Sequence, residues 1–167
     1  MIRAFGVLGI PLIECINPEI KKYRIRYDIQ KYPDEEYDNT ISFMEDEILH
    51  KPTLSEVKNI VLKGYNSIVD EKILSGFKWN DISVWLSTEN QFNYKAAYDL
   101  AFQTNGASLP TVFKFGTNEN PIYYKFDTLD ELQDFYIKAM TYINEQLAIG
   151  WAKKDSIDWS EYEKYLK

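Results

Sequence analysis

The sequence predicts an α+β fold, and three observations carry that reading. Residues 23–29 alternate apolar and polar side chains strictly, which is the period of a half-buried strand. Three later stretches repeat apolar residues at helical spacing behind capping residues. Between them lie two pairs of short apolar runs around polar turns, the pattern of hairpins. The expected order is a β-rich N-terminal segment, then helix, hairpin, helix, hairpin, helix. Short connections favour an antiparallel sheet, drawn from both hairpins and packed on the helices.

Each element follows from its own residues. Ile2 to Ile16 reads as glycine-punctuated strand material, and Tyr23-Arg24-Ile25-Arg26-Tyr27-Asp28-Ile29 as the strand with the clearest alternation. Pro33, Asp34 and Glu35 mark a turn, and Thr40 to Met44 a further strand. Residues 1–51 are therefore expected to be a β-rich segment for attachment or oligomerisation, with its boundary near His50-Lys51-Pro52, and residues 52–167 an α+β domain. Thr53 and Glu56 fit a capping box, in which the hydroxyl and the carboxylate each satisfy a free backbone amide. Leu54, Val57, Ile60 or Val61, Gly64 and Ile68 continue the first helix, which should stop before Gly76. Gly64 costs about 1 kcal/mol against Ala in a helix, so close packing is the reason to expect it there.

Asn80-Asp81 separates Phe77-Lys78-Trp79 from Ile82 to Leu86 as the first hairpin turn. Ser87 or Thr88 caps the second helix, with Phe92, Ala96, Leu100 and Ala101 as its apolar stripe and Asn105-Gly106 as its stop. Thr111 to Phe115 and Ile122 to Phe126 make the second hairpin. Thr128 and Glu131 form another box ahead of Leu132, Phe135, Ala139, Met140, Ile143 and Leu147, with Gly150 as the expected end. Trp159, Tyr162, Tyr165 and Leu166 then suggest a short helix folding back.

Composition narrows the function. The chain has 167 residues, 19 Lys and Arg against 26 Asp and Glu, and a net charge of −7. At about 150 residues per domain this is one domain with room for an appendage. Aromatic residues make up 16% of the chain, which argues against disorder. Lys21, Lys22, Arg24 and Arg26 form a local basic stretch, but the acidic balance argues against phosphate-backbone binding, so no nucleic-acid partner is expected. No stretch reaches the ~18 apolar residues of a membrane span, and residues 1–16 lack the long apolar core of a signal peptide. Neither membrane insertion nor export is expected, only synthesis in a cytosol.

The single His50 and single Cys15 remove most nucleophilic and zinc chemistry. His50 is read as a solvated or hydrogen-bonded linker residue and Cys15 as a small hydrophobe in a strand. Glu45, Asp46 and Glu47 are the densest carboxylate cluster outside the Asp34 run and read as a solvated loop. Gly6-Val7-Leu8-Gly9 lacks the ending of a phosphate loop. No cofactor, no metal and no catalytic residue is assigned. The aromatics remain: Trp79, Trp85, Trp151 and Trp159 are read mainly as core, with a protein interface and a sugar-stacking platform as the alternatives.

One stretch resembles a known family. Pro52-Thr53-Leu54-Ser55-Glu56, Tyr65-Asn66, Lys72 to Phe77, Val84-Trp85-Leu86-Ser87, Glu89-Asn90-Gln91-Phe92-Asn93-Tyr94, Gly150-Trp151 and Lys154-Asp155 occur in order. Residues 52–162 in this order resemble a domain of unknown function found in phage and prophage tail proteins, including tail-fibre-associated ones, with variants in Bacteroides-type gut bacteria and their phages. The resemblance implies a non-enzymatic virion component or tail-assembly factor, made in the bacterial host cytoplasm and located in the virion tail. Its partners would be other tail proteins, and it would be a homo-oligomer. It transfers no catalytic residue. The candidate interface residues are Trp79, Trp85, Glu89, Asn90, Gln91, Asn93, Tyr94 and Trp151. The other reading is a carbohydrate-binding host-recognition module that uses exposed aromatics.

Overall fold

The computed structural model describes residues 3–31 and 39–167, so the turn expected at Pro33 to Glu35 lies outside the described residues. The fold is α+β. Four strands come first: β1 (Ala4–Val7), β2 (Ile13–Asn17), β3 (Lys22–Lys31) and β4 (Thr40–Ile48). They form one antiparallel sheet in the order β1-β4-β3-β2. Then follow α1 (Leu54–Ser75), the hairpin β5 (Lys78–Trp79) and β6 (Ile82–Ser83), α2 (Thr88–Gln103), the hairpin β7 (Thr111–Gly116) and β8 (Pro121–Phe126), α3 (Leu129–Asp155) and α4 (Trp159–Glu163). The hairpins do not join one sheet as expected. Each is a separate two-stranded ladder.

The chain groups into two compact units, Met1–Ile68 with Trp151–Lys167, and Val69–Gly150. The division falls inside α1 and inside α3, not at residue 51. The N-terminal strands need the apolar side of α1 to bury their own. Ile13, Ile25, Tyr27 and Met44 from the sheet form one core with Val57, Val61 and Tyr65 from α1 and Tyr162 from α4. Tyr162 donates its hydroxyl to the carbonyl of Arg26 at 3.0 Å, so the C-terminal helix does fold back.

The first unit shows why β3 alternates. Tyr23, Ile25 and Tyr27 face the helix side, while Lys22, Arg24 and Arg26 lie on the opposite face of the sheet. There the cations meet carboxylates of neighbouring strands. Lys22 and Arg24 pair with Glu47 at 2.5 and 2.9 Å, and Arg26 pairs with Glu14 at 2.6 Å. Glu45, Asp46 and Glu47 are thus part of β4, not a solvated loop. Arg26 is buried as well, with its guanidinium over the Phe43 ring and one nitrogen donating to the Pro11 carbonyl at 2.8 Å. The strand is therefore covered on both faces at Arg26, more than simple alternation implies.

At Asp28 the register of β3 shifts and the backbone turns left-handed, φ 47°. The bulge delivers the Asp28 carboxylate to Arg3 at 2.6 Å and Lys153 at 2.9 Å. Burial disfavours the charge, but hydrogen bonds from Lys153 and Arg3 outweigh it and hold the carboxyl below its usual range. The expected capping box is present at α1: Thr53 N donates to Glu56 Oε2 at 2.8 Å, and Glu56 N to Thr53 Oγ1 at 3.3 Å. Bonds from the Thr53 backbone and hydroxyl and from His50 bring the Glu56 carboxyl down to about 2. His50 is the hydrogen-bonded linker residue the sequence suggests.

The second unit is built on aromatic packing. Phe135 of α3 is fully buried and lies 5.1–6.3 Å, centroid to centroid, from six other rings. They come from the segment after α1 (Phe77), both hairpins (Trp79, Phe113, Phe115, Phe126) and α2 (Tyr94). The Asn80-Asp81 turn has both residues at positive φ, 47° and 63°, as a two-residue type I′ hairpin requires. Gly150 does not end α3, which runs on to Asp155. A Cβ there would overlap the Val69 side chain, so this glycine serves close helix approach instead of termination.

Candidate functional site

The Glu89-to-Tyr94 run begins α2, and its polar side chains hold that start in place. Ser87 is the N-cap, its hydroxyl accepting from Asn90 N at 3.2 Å. Asn90 Nδ2 reaches back to the Trp85 carbonyl and Gln91 Nε2 to the Leu86 carbonyl, each at 2.8 Å. Both amides thereby fasten the helix to the segment before it, which leaves the ladder after Ser83 and is not strand to Leu86 as expected. Glu89 lies in the first turn, where a carboxylate suits the positive end of the helix.

The eight candidate interface residues divide. Trp79 and Tyr94 are 4% and 2% exposed and belong to the aromatic core, so neither offers a surface. Burial pushes the Tyr94 hydroxyl up to about 12. Trp85 is 51% exposed, Glu89 and Asn93 are exposed, and Asn90 and Gln91 are half-buried. Trp151 is exposed too, but it belongs to the other unit.

Two surfaces result in the second unit. The first is a cleft of about 630 Å³ with Trp85, Asn90 and Ser83 on one side and Lys114, Asn118 and Glu119 on the other. Gly116 makes the turn below it at φ 79°, where a Cβ would overlap the Asn120 carbonyl. Thr117 Oγ1 then accepts from Asn120 N at 3.1 Å and closes the loop. An exposed indole beside amide, ammonium and carboxylate groups is suited to a polar ligand with one flat apolar face.

The second surface is the outward side of α2. Sequence periodicity assigns Phe92, Ala96 and Leu100 to the buried stripe, but the structure turns all three outward. Of the expected stripe only Ala101 is buried, and Tyr94 takes the other core position, because it packs edge-on against Phe113 at 4.7 Å and Phe135 at 5.1 Å. Phe102 is outward as well. The helix therefore has apolar side chains on both sides, with Phe92 71%, Phe102 62% and Leu100 53% exposed. Singly exposed apolar residues need no explanation, whereas three on one helix do.

Other groups the sequence singles out are engaged or simply exposed. Cys15 is exposed on β2, not buried as a small hydrophobe. A groove of about 470 Å³ in the first unit is lined by Glu45, Asp46, Glu47 and Lys63, but Tyr27 donates to Asp46 at 2.8 Å and Lys22 and Arg24 hold Glu47. Among the described residues, no group of three or more His, Cys, Asp or Glu is placed to hold a metal ion. Among the same residues, no helix is long and apolar enough to cross a membrane. Compared with models of protein families, with curated proteins and with solved structures, the chain finds no match.

Proposed function

We propose that this chain is a non-enzymatic structural component or assembly factor of a phage tail, acting through protein–protein contacts. The family resemblance of residues 52–162 supplies the class. The observation that carries the mode of action is α2, which buries Tyr94 and Ala101 yet exposes Phe92, Leu100 and Phe102. Large aromatics are enriched at protein interfaces, and a rigidly capped helix presents them at low ordering cost. The basic stretch of β3 supports a protein partner over nucleic acid, since Lys22, Arg24 and Arg26 are held by carboxylates. Mass spectrometry of purified particles and tail-assembly intermediates tests the reading. The chain should be found in one or the other in a defined ratio to tail proteins. Its absence from both overturns the proposal.

The Trp85 cleft favours a second reading, a host-recognition module that stacks a sugar ring on the indole. Titration with glycans of the host surface would then give binding that Trp85→Ala abolishes. Silence across the glycans, or binding indifferent to that substitution, removes it.

A further inference from the structure

We propose that the outward face of α2 is a self-association surface, on which two copies of this chain pair through antiparallel α2 helices about a two-fold axis. The proposal deepens the protein-contact reading above and rests on it for its biological setting, but a separate observation carries it. Phe92, Lys95, Asp99 and Phe102 recur at steps of three, four and three residues. At about 100° per residue they fall within about 80° of the helix circumference. That spacing is the seam of a coiled coil. All four are outward: the two Phe are 71% and 62% exposed, and the Lys95 and Asp99 side chains 57% and 42%.

The chemistry along this seam is self-complementary. It reads aromatic, cation, anion, aromatic, and both outer and inner pairs are centred on residue 97. A two-fold axis at that height sets Phe92 against Phe102 of the second copy and Lys95 against Asp99 of the second copy. The same rotation makes each contact twice. Parallel pairing would instead oppose Lys95 to Lys95 and Asp99 to Asp99, which like-charge repulsion disfavours. The charge pattern therefore selects both the partner and its direction.

Local structure prepares the seam. Ala96 lies beside it and keeps its flank low enough for close helix approach. Phe102 rests against Tyr98, centroids 6.1 Å apart, and Tyr98 stacks on Tyr136 of α3 at 4.8 Å, so the aromatic end is held in position. Lys95 and Asp99 pair with each other in the free chain at 2.5 Å. With the cation N-terminal to the anion this is the weaker order on a helix, so exchanging it for a pair across the axis loses little. A single helix pair buries less than the roughly 1,600 Å² of a standard interface, so the dimer is weak and depends on concentration.

Sedimentation equilibrium of the full chain, from dilute to near-millimolar concentration, tests this. The expected result is a reversible monomer–dimer equilibrium. Lys95→Asp or Asp99→Lys alone should weaken it by about tenfold or more, since each then sets like charges together twice. The double variant Lys95→Asp/Asp99→Lys should recover most of the affinity, because swapped charges still meet opposites across the axis. Circular dichroism confirms that each variant is folded, and Lys95→Gln and Asp99→Asn give milder forms of the singles. A chain that stays monomeric throughout, a dimer indifferent to the single reversals, or a double variant no tighter than the singles overturns the proposal. A monomer that is nonetheless found in tail particles sinks the dimer alone. A dimer absent from both particles and assembly intermediates sinks the tail reading alone.

Discussion

Gly64 is the residue at which helix propensity and packing conflict. Replacing it with Ala should gain about 1 kcal/mol of propensity in an isolated helix. A Cβ there, however, would overlap the ring of Tyr27, which is 3% exposed and whose hydroxyl is tied to Asp46 at 2.8 Å. Overpacking a core that cannot yield costs about 1–3 kcal/mol, so packing wins. Gly64→Ala should destabilise the protein by about 1–2 kcal/mol in urea unfolding. A neutral or stabilising result would mean that Tyr27 moves freely. Asp28 gives a second prediction at this scale. Its side chain is 4% exposed, and its carboxyl titrates below the ordinary range when folded. The stability it contributes is therefore complete above the unfolded value near about 4 and is lost as pH falls through that value towards the folded one. Asp28→Asn should lower stability at neutral pH by about 2–3 kcal/mol and flatten the acid limb of the melting profile. Parallel acid limbs for the two proteins would contradict this.

The helices show which element boundaries the residues declare. Thr53 and Ser87 announce starts by their capping chemistry, and the structure uses Ser87 as an N-cap and Thr53 in the capping box; Asp158, which the sequence reading does not single out, caps α4. Ser87→Ala should cost about 1 kcal/mol and loosen the entry to α2. Amide hydrogen exchange at residues 88–91 reads this out, and unchanged exchange there would show that Asn90 and Gln91 hold the start without the cap. Thr128 and Glu131 make only half of the box they spell. The Glu131 amide does donate to Thr128 at 3.3 Å, but the Glu131 carboxylate accepts from the Tyr124 hydroxyl at 2.6 Å. Sequence spacing cannot see such a competitor from a strand. The same reason explains the misread stripe of α2. Phe92, Ala96 and Leu100 have good helical spacing, but which side of a helix is buried depends on the rings it meets. Tyr94 meets Phe113 and Phe135, and neither contact is written in the local pattern. Gly150 likewise reads as a stop until the neighbouring Val69 is known.

At the scale of the molecule, the order of elements was legible because each has its own punctuation. The grouping of elements was not, because it is set by contacts between distant residues. The β-rich segment cannot cover its helix-side apolar face alone, so the core of the first unit joins it to α1 and α4. In the second unit Phe135 links helices and hairpins through six rings. Phe135→Ala should therefore cost about 3–5 kcal/mol, the value for a large side chain deleted from a core that cannot collapse. Calorimetry would show it as a large fall in melting temperature, and a loss below about 1 kcal/mol would mean the rings repack. The chemistry of the surface was only half legible. The Glu89-to-Tyr94 run stands out, yet its polar members mostly secure the helix, and the apolar spacing assigns Phe92 and Leu100 to the core although both are exposed. The account turns on that outward face. Hydroxyl-radical footprinting of the chain, isolated at low concentration and within the tail particles or assembly intermediates that contain it, addresses it most directly. Phe92 and Phe102 should oxidise readily in the isolated chain and be protected several-fold in the particle or intermediate. Equal oxidation of both residues in the two states would show that the face of α2 meets solvent and not protein.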